Sequence, residues 1–388
     1  MSNFLYALLA TVVVVNAASA AYVLIAIWRV RAFGHRKQAV SGFRPPVTVL
    51  KPICGLDSNL YDNLRSFCLQ DYPEWQIVFG VRDAADPAIP MIEKLIREFP
   101  DNDMFLVVNG VLSGPNLKVS NLENMSETAK HPHLIIADSD MRVDPTYLDT
   151  IIAPFANNKV GVVTCLYKGT PSAGFASQLA GMHINEWFLP SVLVSAGLKE
   201  IRFGLGATMA VRKDVLEAIG GFTHLAQYLA DDHMLGKWAS ALGFKVVLSD
   251  YIVENIVHEN DLKSLFRHEL RWARTVRAVA PAGHAFSFIM YGVPLALALA
   301  VSIEAVLGWG VMSLSVLALP VALRVWLHLA ACRTLGRKVS GRAMGLIPLR
   351  DLLSFMVLVT SFFDNKIEWK GRMFTVDNDG LMKAVERQ

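Results

Sequence analysis

The stretch from Phe4 to Trp28, which holds no charged side chain, constrains the fold of this chain most. It is long enough to cross a bilayer with some tilt. The chain is also 53% hydrophobic with a mean hydropathy of +0.37, which is too apolar for an ordinary soluble protein. Short basic flanks stay cytoplasmic, and the basic residues that follow this stretch are Arg29, Arg31, Arg36 and Lys37. Residues 1–30 are therefore predicted to form an N-terminal transmembrane anchor, with the next domain in the cytosol.

A cleaved signal peptide is the alternative for this stretch, because Ala17-Ala18-Ser19-Ala20 has the composition of a cleavage site. However, no basic residue precedes the apolar run, and the run is long for a signal peptide. We therefore expect the anchor to remain uncleaved.

A second apolar region covers residues 284–363. Two crossings, Ala285–Met312 and Ser313–Ala331, are predicted on either side of a turn near Gly308. The run Met344–Phe363 is interrupted by a proline and two charges, so it either crosses as well or forms a re-entrant or interfacial helix. Ionisable side chains at such depth usually face protein or a polar cavity, and those in this region include Glu304, Arg324 and His328.

Residues 45–278 are predicted to form one α/β domain, and residues 364–388 a C-terminal tail. Short β-branched runs alternate with stretches of helical spacing, which is typical of a parallel sheet covered on both faces. The predicted strands are Val47–Leu50, Gln76–Val81, Met104–Asn109, Leu134–Ala137, Val160–Cys165 and Lys245–Leu248, and the predicted helices include Asp62–Leu69 and Pro90–Phe99. The aromatic stretch Phe175–Val194 fits either a core helix or an amphipathic helix on the membrane.

The clearest chemical signal in this domain is Asp138-Ser139-Asp140, which directly follows the apolar strand Leu134–Ala137. In open α/β sheets, ligands bind at the carboxyl ends of the strands. Two carboxylates at that edge are suited to hold Mg²⁺ or Mn²⁺ against a diphosphate, because hard cations take oxygen ligands. Taken alone, the pair equally fits an Asp-rich turn.

Three further polar side chains of this domain are candidates for the same ligand site. Asp83 follows a predicted strand, and Lys118 comes early in a helix, where it would neutralise a phosphate. Asp232, next to Asp231, opens another helix and is suited to accept a proton as a general base. Taken alone, each also fits an ordinary structural role, as a carboxylate in a turn, a solvated surface lysine or a charge at a helix N-terminus.

The stretch that contains His268, Arg271 and Trp272 is the last of these signals. Arg271 suits bidentate pairing with phosphate, and Trp272 offers a flat face for a sugar ring. A basic amphipathic helix that meets the membrane explains the same residues.

Several reaction classes lack their signatures in this chain. It has no GxxxxGK[ST] loop, no GxGxxG after a strand, no GxSxG and no HExxH. The net charge of +3 is too small to indicate a nucleic-acid partner. The four cysteines show no CxxC spacing and are expected to be reduced thiols.

In sequence order, these sites make the chain similar to the ceramide glucosyltransferases and their bacterial relatives, which are membrane-bound inverting enzymes with a GT-A fold. The motifs that carry the resemblance are Val49-Leu50-Lys51-Pro52, Asp71-Tyr72-Pro73, Val81-Arg82-Asp83, Asn116-Leu117-Lys118-Val119, Asp138-Ser139-Asp140, Met209-Ala210-Val211-Arg212-Lys213-Asp214, Gly220-Gly221-Phe222, Ala226-Gln227-Tyr228-Leu229-Ala230-Asp231-Asp232 and Arg271-Trp272. The family pattern is D, D, D, (Q/R)xxRW. His268 departs from it, since the family usually has Gln or Arg there, and this leaves the role of the position open.

The resemblance implies an α/β fold: a GT-A (Rossmann-like) nucleotide-sugar-binding domain with N-terminal and C-terminal membrane helices. It implies a multi-pass protein of the bacterial inner membrane, with its catalytic domain in the cytoplasm. The expected activity is transfer of glucose or N-acetylglucosamine from a UDP-sugar to a hydroxyl of a lipid such as ceramide, which gives a β-glycolipid.

The resemblance also implies roles for individual residues. Asp232 is expected to be the catalytic base, and Asp140 with Asp138 to hold Mg²⁺ or Mn²⁺. The residues expected to bind substrate are Asp83, Lys118, Asp138, His268, Arg271 and Trp272.

Two alternatives stay open at this stage. One is transfer of N-acetylglucosamine to a hopanoid polyol such as bacteriohopanetetrol, because hopanoid-associated enzymes look at least as close. The other, more remote, is a catalytically silent membrane protein that binds a sugar nucleotide.

Overall fold

The computed structural model describes residues 2–36, 41–57, 59–369, 372–377 and 380–384. The basic residue Lys37, which belongs to the predicted cytoplasmic flank, lies outside these ranges. The chain forms two compact units. The helical unit comprises Met1–Arg36, Phe175–Lys199 and Glu259–Asn365, and the sheet unit comprises Lys37–Gly174, Glu200–His258 and Lys366–Gln388. These units interleave in sequence, so they do not coincide with the continuous domain predicted over 45–278.

The sheet unit is built on an eight-stranded mixed sheet and carries a small three-stranded sheet. The strands are β1 (Val47–Ile53), β2 (Trp75–Val81), β3 (Asp103–Val108), β4 (His133–Ala137), β5 (Met141–Arg142), β6 (Val160–Pro171), β7 (Thr208–Arg212), β8 (Lys245–Val257), β9 (Lys366–Trp369), β10 (Arg372–Val376) and β11 (Met382–Ala384). The large sheet has the order β3-β2-β1-β4-β7-β6-β8-β5, and β9 to β11 form the small one.

The helices of the two units complete the fold. They are α1 (Ser2–Gly34), α2 (Leu60–Cys68), α3 (Ile89–Glu98), α4 (Leu117–Ser126), α5 (Tyr147–Ile152), α6 (Gly174–His183), α7 (Leu189–Leu198), α8 (Lys213–Ala218), α9 (Gly221–Leu225), α10 (Asp231–Ala241), α11 (Leu262–Val279), α12 (Pro281–Phe286), α13 (Gly292–Leu307), α14 (Ala318–Thr334) and α15 (Gly341–Ser361).

Half of the large sheet is parallel, as predicted, and the other half is mixed, since β6 and β8 pair in parallel whereas β7 and β5 pair with their neighbours in the antiparallel direction. Strands β3, β2, β1 and β4 run parallel, and every predicted strand and helix of this half is present. Strand β7, which the sequence analysis did not identify, runs antiparallel to both β4 and β6. Its five residues, Thr208–Arg212, are too few to give a clear periodicity.

The apolar faces of the large sheet are buried on both sides. On one face, the core includes Phe67, Ile92 and Tyr147 from α2, α3 and α5. On the other, it includes Met125 and Leu235 from α4 and α10. This two-sided burial explains why β1, β2 and β4 are nearly continuous apolar runs instead of alternating ones.

The sheet order creates a switch point between β1 and β4. From β1 the chain first builds outward to β2 and β3, and then returns to add β4 on the other side of β1. Crevices at such points, beyond the carboxyl ends of the strands, are where open α/β sheets bind ligands.

The helical unit holds three helices that are long and apolar enough to cross a membrane: Asn3–Gly34, Gly310–Thr334 and Gly341–Ser361. A further pair, Pro281–Met290 and Gly292–Leu307, is bent by 67° and makes a fourth span if it is counted as one broken crossing. The run Met344–Phe363, left open by the sequence, thus lies largely within a helix that is long enough to span.

The aromatic stretch Phe175–Val194 forms α6, a π-helical turn at Ile184–Phe188 and the first part of α7. Trp187 is only 1% exposed, and α7 packs against α1. The core-helix interpretation of this stretch therefore holds within the helical unit.

The ionisable residues of the helical unit behave in two ways. Arg324 is buried and donates to Asp351 (2.8 Å), and His328 is buried 2.7 Å from Glu186, as expected for charges at such depth. Glu304 differs, because it is exposed near the end of α13 and accepts from the backbone N–H of Gly310 at 2.6 Å.

Candidate active site

The carboxylates of Asp138 and Asp140 follow β4 at the switch point. The Asp138 N–H donates to the carbonyl of Ala207 (3.1 Å), which fixes the start of the turn. The Asp140 carboxylate accepts from Asn255 Nδ2 at 2.7 Å. Burial raises the pKa of Asp140 to about 6, and repulsion from Asp138 acts in the same direction. The Asp138 carboxylate therefore lies close enough to disfavour the charge of Asp140, and a cation bound there would relieve this repulsion.

Lys118 supplies one positive charge at this edge. Asn116 caps α4, and its side chain accepts from the backbone N–H groups of Lys118 and Val119. The Lys118 ammonium lies 2.6 Å from Asp138 Oδ1 and donates to the carbonyl of Gly206 at 3.3 Å. Burial alone would lower the pKa of Lys118, but nearby carboxylates, chiefly that of Asp138, hold it above its usual value. Lys118 is therefore charged at neutral pH. Its ammonium group lies beside these carboxylates, where it would also neutralise the charge of a bound phosphate.

Asp231 and Asp232 open α10 beside this lysine. Asp231 Oδ1 accepts from Asn116 Nδ2 (3.1 Å), and Asp232 Oδ1 accepts from the N–H of His233 (2.8 Å). Burial raises the pKa of Asp232 to about 6, and repulsion from Asp231 adds to the shift. A carboxylate with such a pKa is still ionised at neutral pH and is more basic than an ordinary Asp, as general-base catalysis requires.

Gly206 separates Lys118 from Asp232. A Cβ at position 206 would stand 2.9 Å from Asp232 Oδ2, so any side chain would force this carboxylate to move. The same residue accepts from Lys118 through its carbonyl. Gly206 was not predicted as a site residue, because a glycine in a loop can serve several structural purposes that the sequence does not distinguish.

Lys51 is a second functional candidate that the sequence analysis did not assign. It is fully buried in β1, where it donates to the backbone carbonyl of Asp138 at 2.5 Å and lies 3.8 Å from the ring centroid of Phe67. Burial lowers its pKa to about 7, although Asp138 and Asp140 oppose the shift. The available signal was a lysine inside an otherwise apolar strand, since lysines are almost never fully buried without a partner.

The donor set at Asp138 and Asp140 fits a hard divalent cation. In the described part of the chain, no group of three or more His, Cys, Asp or Glu side chains is arranged to hold a metal ion. Mg²⁺ in nucleotide sites typically takes one or two carboxylates and completes its shell with water and phosphate oxygens. The two carboxylates therefore fit a cation that arrives with a diphosphate.

Asp83 lies at the same edge of the sheet, beyond β2. Its carboxylate is exposed and accepts from the N–H of Ala85 at 2.9 Å. The neighbouring Asp86 holds the loop in place by accepting from the N–H groups of Gly55 (2.8 Å) and Ala88 (2.9 Å). Both interpretations of Asp83, as a turn residue and as a nucleoside ligand, are compatible with this geometry.

The helix α11 of the helical unit carries His268, Arg271 and Trp272. It begins with a capping box made by Asp261 and Ser264. His268 Nδ1 lies 2.7 Å from a carboxylate oxygen of Glu259, and its ring centroid is 4.3 Å from that of Trp272. Glu259 thus orients the histidine that stands where the family usually has Gln or Arg.

Of the predicted site residues, four form one cluster in the sheet unit, and Asp83 lies on the same sheet edge. The four are Lys118, Asp138, Asp140 and Asp232. The remaining three belong to the helical unit.

The model of glycosyl transferase family 21 matches residues 11–382, which is nearly the whole chain. The chain belongs to glycosyl transferase family 21. This family 21 protein has the fold of a mannosyltransferase from Pyrobaculum calidifontis that was solved with GDP-Man and Mn²⁺. That likeness has a TM-score of 0.60 at 18% identity and covers 92% of this chain and 99% of the other. The predicted GT-A-like fold is thereby confirmed.

Curated relatives of this family 21 protein include two enzymes from Caenorhabditis elegans. Ceramide glucosyltransferase 3 is 24% identical over 249 residues, which is 64% of this chain and 54% of that protein. Ceramide glucosyltransferase 1 is 27% identical over 248 residues, again 64% of this chain and 53% of the relative. The chain therefore matches about half the length of each, and the predicted resemblance to the ceramide glucosyltransferase family is confirmed.

Proposed function

We propose that this chain transfers a sugar, glucose or N-acetylglucosamine, from a UDP-sugar to the hydroxyl of a membrane lipid such as ceramide, with inversion at the anomeric carbon. The observation that carries the proposal is the cluster in which Lys118 faces two pairs of carboxylates. One pair, Asp138 and Asp140, suits a cation with a diphosphate, and the other, Asp231 and Asp232, suits proton transfer. Family membership and the curated relatives support the same reaction class.

In the proposed reaction, Asp232 accepts the proton of the lipid hydroxyl as the hydroxyl oxygen bonds to the anomeric carbon. The bond between that carbon and the β-phosphate oxygen breaks, and the diphosphate leaves with the electron pair. A single displacement from the opposite face inverts an α-linked donor to a β-glycoside. The raised pKa of Asp232 supports its role as the base.

The donor would be held at the edge formed by β1, β2 and β4. Asp83 contacts the nucleoside, and Lys118 exchanges its pairing with Asp138 for the diphosphate. Asp138 and Asp140 would hold Mg²⁺ or Mn²⁺, and the cation would supply electrostatic stabilisation of the leaving diphosphate. Lys51 supports this turn through the Asp138 carbonyl.

For the motif residues of α11, in the helical unit, the proposed roles are those that the family resemblance implies. Arg271 binds phosphate, and Trp272 provides a flat face for a sugar ring or the acceptor. His268, oriented by Glu259, takes the position of the family's Gln or Arg as a hydrogen-bonding group.

A lipid acceptor is supported by the apolar helices of the helical unit. Each CH₂ kept out of water is worth about 0.8 kcal/mol, so a long-chain lipid stays in the bilayer during the reaction. An enzyme that glycosylates it must work at the membrane surface, and the basic residues that follow the apolar stretch Phe4–Trp28 support the cytoplasmic side.

The test is a donor-by-acceptor panel on the purified full chain in detergent, with Mg²⁺ or Mn²⁺ and product analysis by mass spectrometry. UDP-glucose and UDP-N-acetylglucosamine are each offered with ceramide, bacteriohopanetetrol and diacylglycerol. One glycosylated lipid that is absent with Asp232→Asn supports the proposal and identifies both substrates. A glycosylated hopanoid in place of ceramide would favour the second candidate, whereas binding of UDP without turnover on any acceptor would favour a silent binding protein.

A further inference from the structure

The C-terminal segment Gly380–Ala384 forms part of the sheet unit and contains β11. It pairs with β10 in register Phe374 to Ala384. The start of this segment is held by Asp377, whose carbonyl accepts from the N–H of Gly380 and whose carboxylate accepts from the N–H of Leu381, both at 3.0 Å. Gly380 has a φ of 85°, a conformation that residues with a Cβ rarely adopt.

This segment bonds to the loop that leads into α10. We call residues Ala226–Ala230 the base loop, because Asp231 and Asp232 follow it directly. The N–H of Met382 donates to the carbonyl of Gln227 (2.9 Å), and the N–H of Leu229 donates to the carbonyl of Gly380 (3.2 Å). Tyr228 forms an antiparallel bridge with Leu381 between these two bonds.

The other edge of the base loop bonds to Asn116, the residue that caps the lysine-bearing helix α4. The backbone N–H of Asn116 donates to the carbonyl of Ala226 at 2.9 Å, and its Nδ2 donates to the carbonyl of Tyr228 at 2.8 Å. The same Nδ2 reaches Asp231 Oδ1 at 3.1 Å. The carbonyls of residues 226 and 228 therefore point to Asn116, while residues 227 and 229 bond to the C-terminal segment.

The base loop is thus held by hydrogen bonds on two sides. Leu229 and Met382 are only 8% and 6% exposed, so water cannot easily replace the bonds between them and their partners. Loss of one edge would leave buried N–H and C=O groups unpaired, and the loop would have to move to satisfy them. Such a movement reaches Asp231 and Asp232, which are the next residues along the chain.

From this arrangement we propose that Gly380–Ala384 is a positioning element of the active site. It fixes the base loop against Asn116 and thereby sets the place of Asp232 relative to Lys118. The inference rests on the proposed role of Asp232 as the base. It gives the C-terminal segment, for which the sequence predicted no function, a positioning role that acts through the backbone of the base loop.

The first test compares Gly380→Val with Gly243→Val in the full chain. Both glycines have left-handed backbones, with φ of 85° and 88°, but Gly243 lies past the far end of α10 with nothing within 4 Å of an added Cβ. Hydrogen exchange is measured for the peptide that contains Leu229, and kinetics are measured with the best donor and acceptor. This pair separates loss of positioning from the strain of the substitution itself.

Gly380→Val is expected to speed exchange at the base loop and to lower kcat by about 10- to 100-fold, since a shift of about 1 Å in a reacting group costs that much. The KM for the donor should hardly change, because the donor contacts remain. The acid limb of the kcat profile should move to lower pH, because water that enters the loosened loop reduces the effect of burial on Asp232. Gly243→Val should leave exchange at Leu229, kcat and the acid limb at their wild-type values.

A second pair, Met382→Pro and Met382→Ala, tests the individual bond. Proline removes the N–H that donates to Gln227, whereas alanine keeps it. Met382→Pro should reproduce the Gly380→Val result, and Met382→Ala should remain within a few-fold of wild type.

Unchanged exchange at Leu229 in both Gly380→Val and Met382→Pro would overturn the positioning role. Faster exchange with an unchanged kcat and acid limb would also overturn it, because the segment would then be merely structural. Failure of the proposed function is distinguishable, since the wild-type chain itself would then give no product while the exchange experiment could still be carried out.

Discussion

The two units of this family 21 protein treat buried charge in opposite ways. In the described part of the helical unit, the buried carboxylates each pair with a basic side chain. These pairs are Arg324 with Asp351 (2.8 Å), His328 with Glu186 (2.7 Å), Arg350 with Glu269 (2.5 Å) and His268 with Glu259 (2.7 Å). In the sheet unit, four aspartates gather around two lysines, and the carboxylates are in excess. They are Asp138, Asp140, Asp231 and Asp232, facing Lys51 and Lys118.

The difference separates structural charges from functional ones. A buried pair of opposite charges is neutral as a unit, and in an apolar environment it fixes how helices pack. An excess of carboxylates at the edge of a sheet leaves negative charge for a cation and a proton to neutralise, and burial together with mutual repulsion raises the pKa values of Asp140, Asp231 and Asp232. The charge distribution of the sheet unit therefore favours binding of a ligand, whereas that of the helical unit does not.

The largest effect is expected from Asp232→Asn. Loss of a general base typically costs about 10²- to 10⁴-fold in rate, and donor binding should persist because Asp232 is not proposed to touch the donor. The measurement is kcat together with the dissociation constant for UDP. The matched control is Asp214→Asn, a largely exposed carboxylate at the start of α8 that pairs with Arg212. Near-normal turnover in Asp232→Asn would exclude this residue as the base.

Breaking a matched pair in the helical unit should act on stability. Arg350→Ala leaves the carboxylate of Glu269 buried without its partner, and such losses cost about 3–5 kcal/mol. The prediction is a clear fall in the melting temperature, measured in detergent, which the double variant Arg350→Met with Glu269→Leu largely restores. Arg97→Ala breaks only the exposed pair with Glu93 at 4.0 Å and should change little. A double variant no more stable than Arg350→Ala would contradict the view of this pair as structural.

Asn255→Ala should weaken the metal site without removing a ligand. Asn255 donates to Asp140 Oδ2 at 2.7 Å, and partners of ligating carboxylates typically contribute about 10- to 100-fold to metal affinity. Mn²⁺ binding, followed by electron paramagnetic resonance in the presence of UDP, measures this directly. Asn102→Ala, which loses a bond to the backbone of Cys68 in the same unit, is the control. Equal Mn²⁺ affinity in the two variants would argue against Asp140 as a ligand.

The pH dependence gives a smaller but specific effect. The base must be ionised, so activity should be present above the pKa of about 6 at Asp232 and should be lost as the pH falls below it. Asp231 raises this pKa and Lys118 lowers it, so Asp231→Asn should move the acid limb of kcat to lower pH. The two carboxylates are coupled, and the limb reports the pair as a unit. An unmoved limb in Asp231→Asn would show that another group controls it.

Much of the parallel half of the sheet was predictable, because β1, β2 and β4 are apolar runs that end in turn residues. The places of Asp138 and Lys118 followed from those elements. The roles of Lys51, Gly206 and Asn116 did not, since each depends on a partner far away in sequence, such as the carbonyl of Asp138 or Tyr228. Strand β7 was not predicted because its five residues are too few to show a clear alternation of apolar and polar side chains.

The apolar helices that are long enough to span a membrane show the same limit. Their apolar composition predicted the spanning candidates, and burial of Arg324 and His328 followed from the cost of charge at depth. The partners did not follow, because the π-helical turn that places Glu186 near His328 and Trp187 near Asp351 has no sequence signature here. The hydrogen bonds from the C-terminal segment to the base loop could not be predicted from the sequence either, since they join backbone groups of residues about 150 positions apart.

We propose that the cluster of carboxylates in the sheet unit forms the donor site. Calorimetric titration of the purified chain with UDP, with Mn²⁺ and then with EDTA in its place, tests it most directly. We predict that UDP binds much more tightly with Mn²⁺ and that Asp140→Asn abolishes the difference. UDP binding that is equally tight without the metal, or that is unaffected by Asp140→Asn, would contradict the claim.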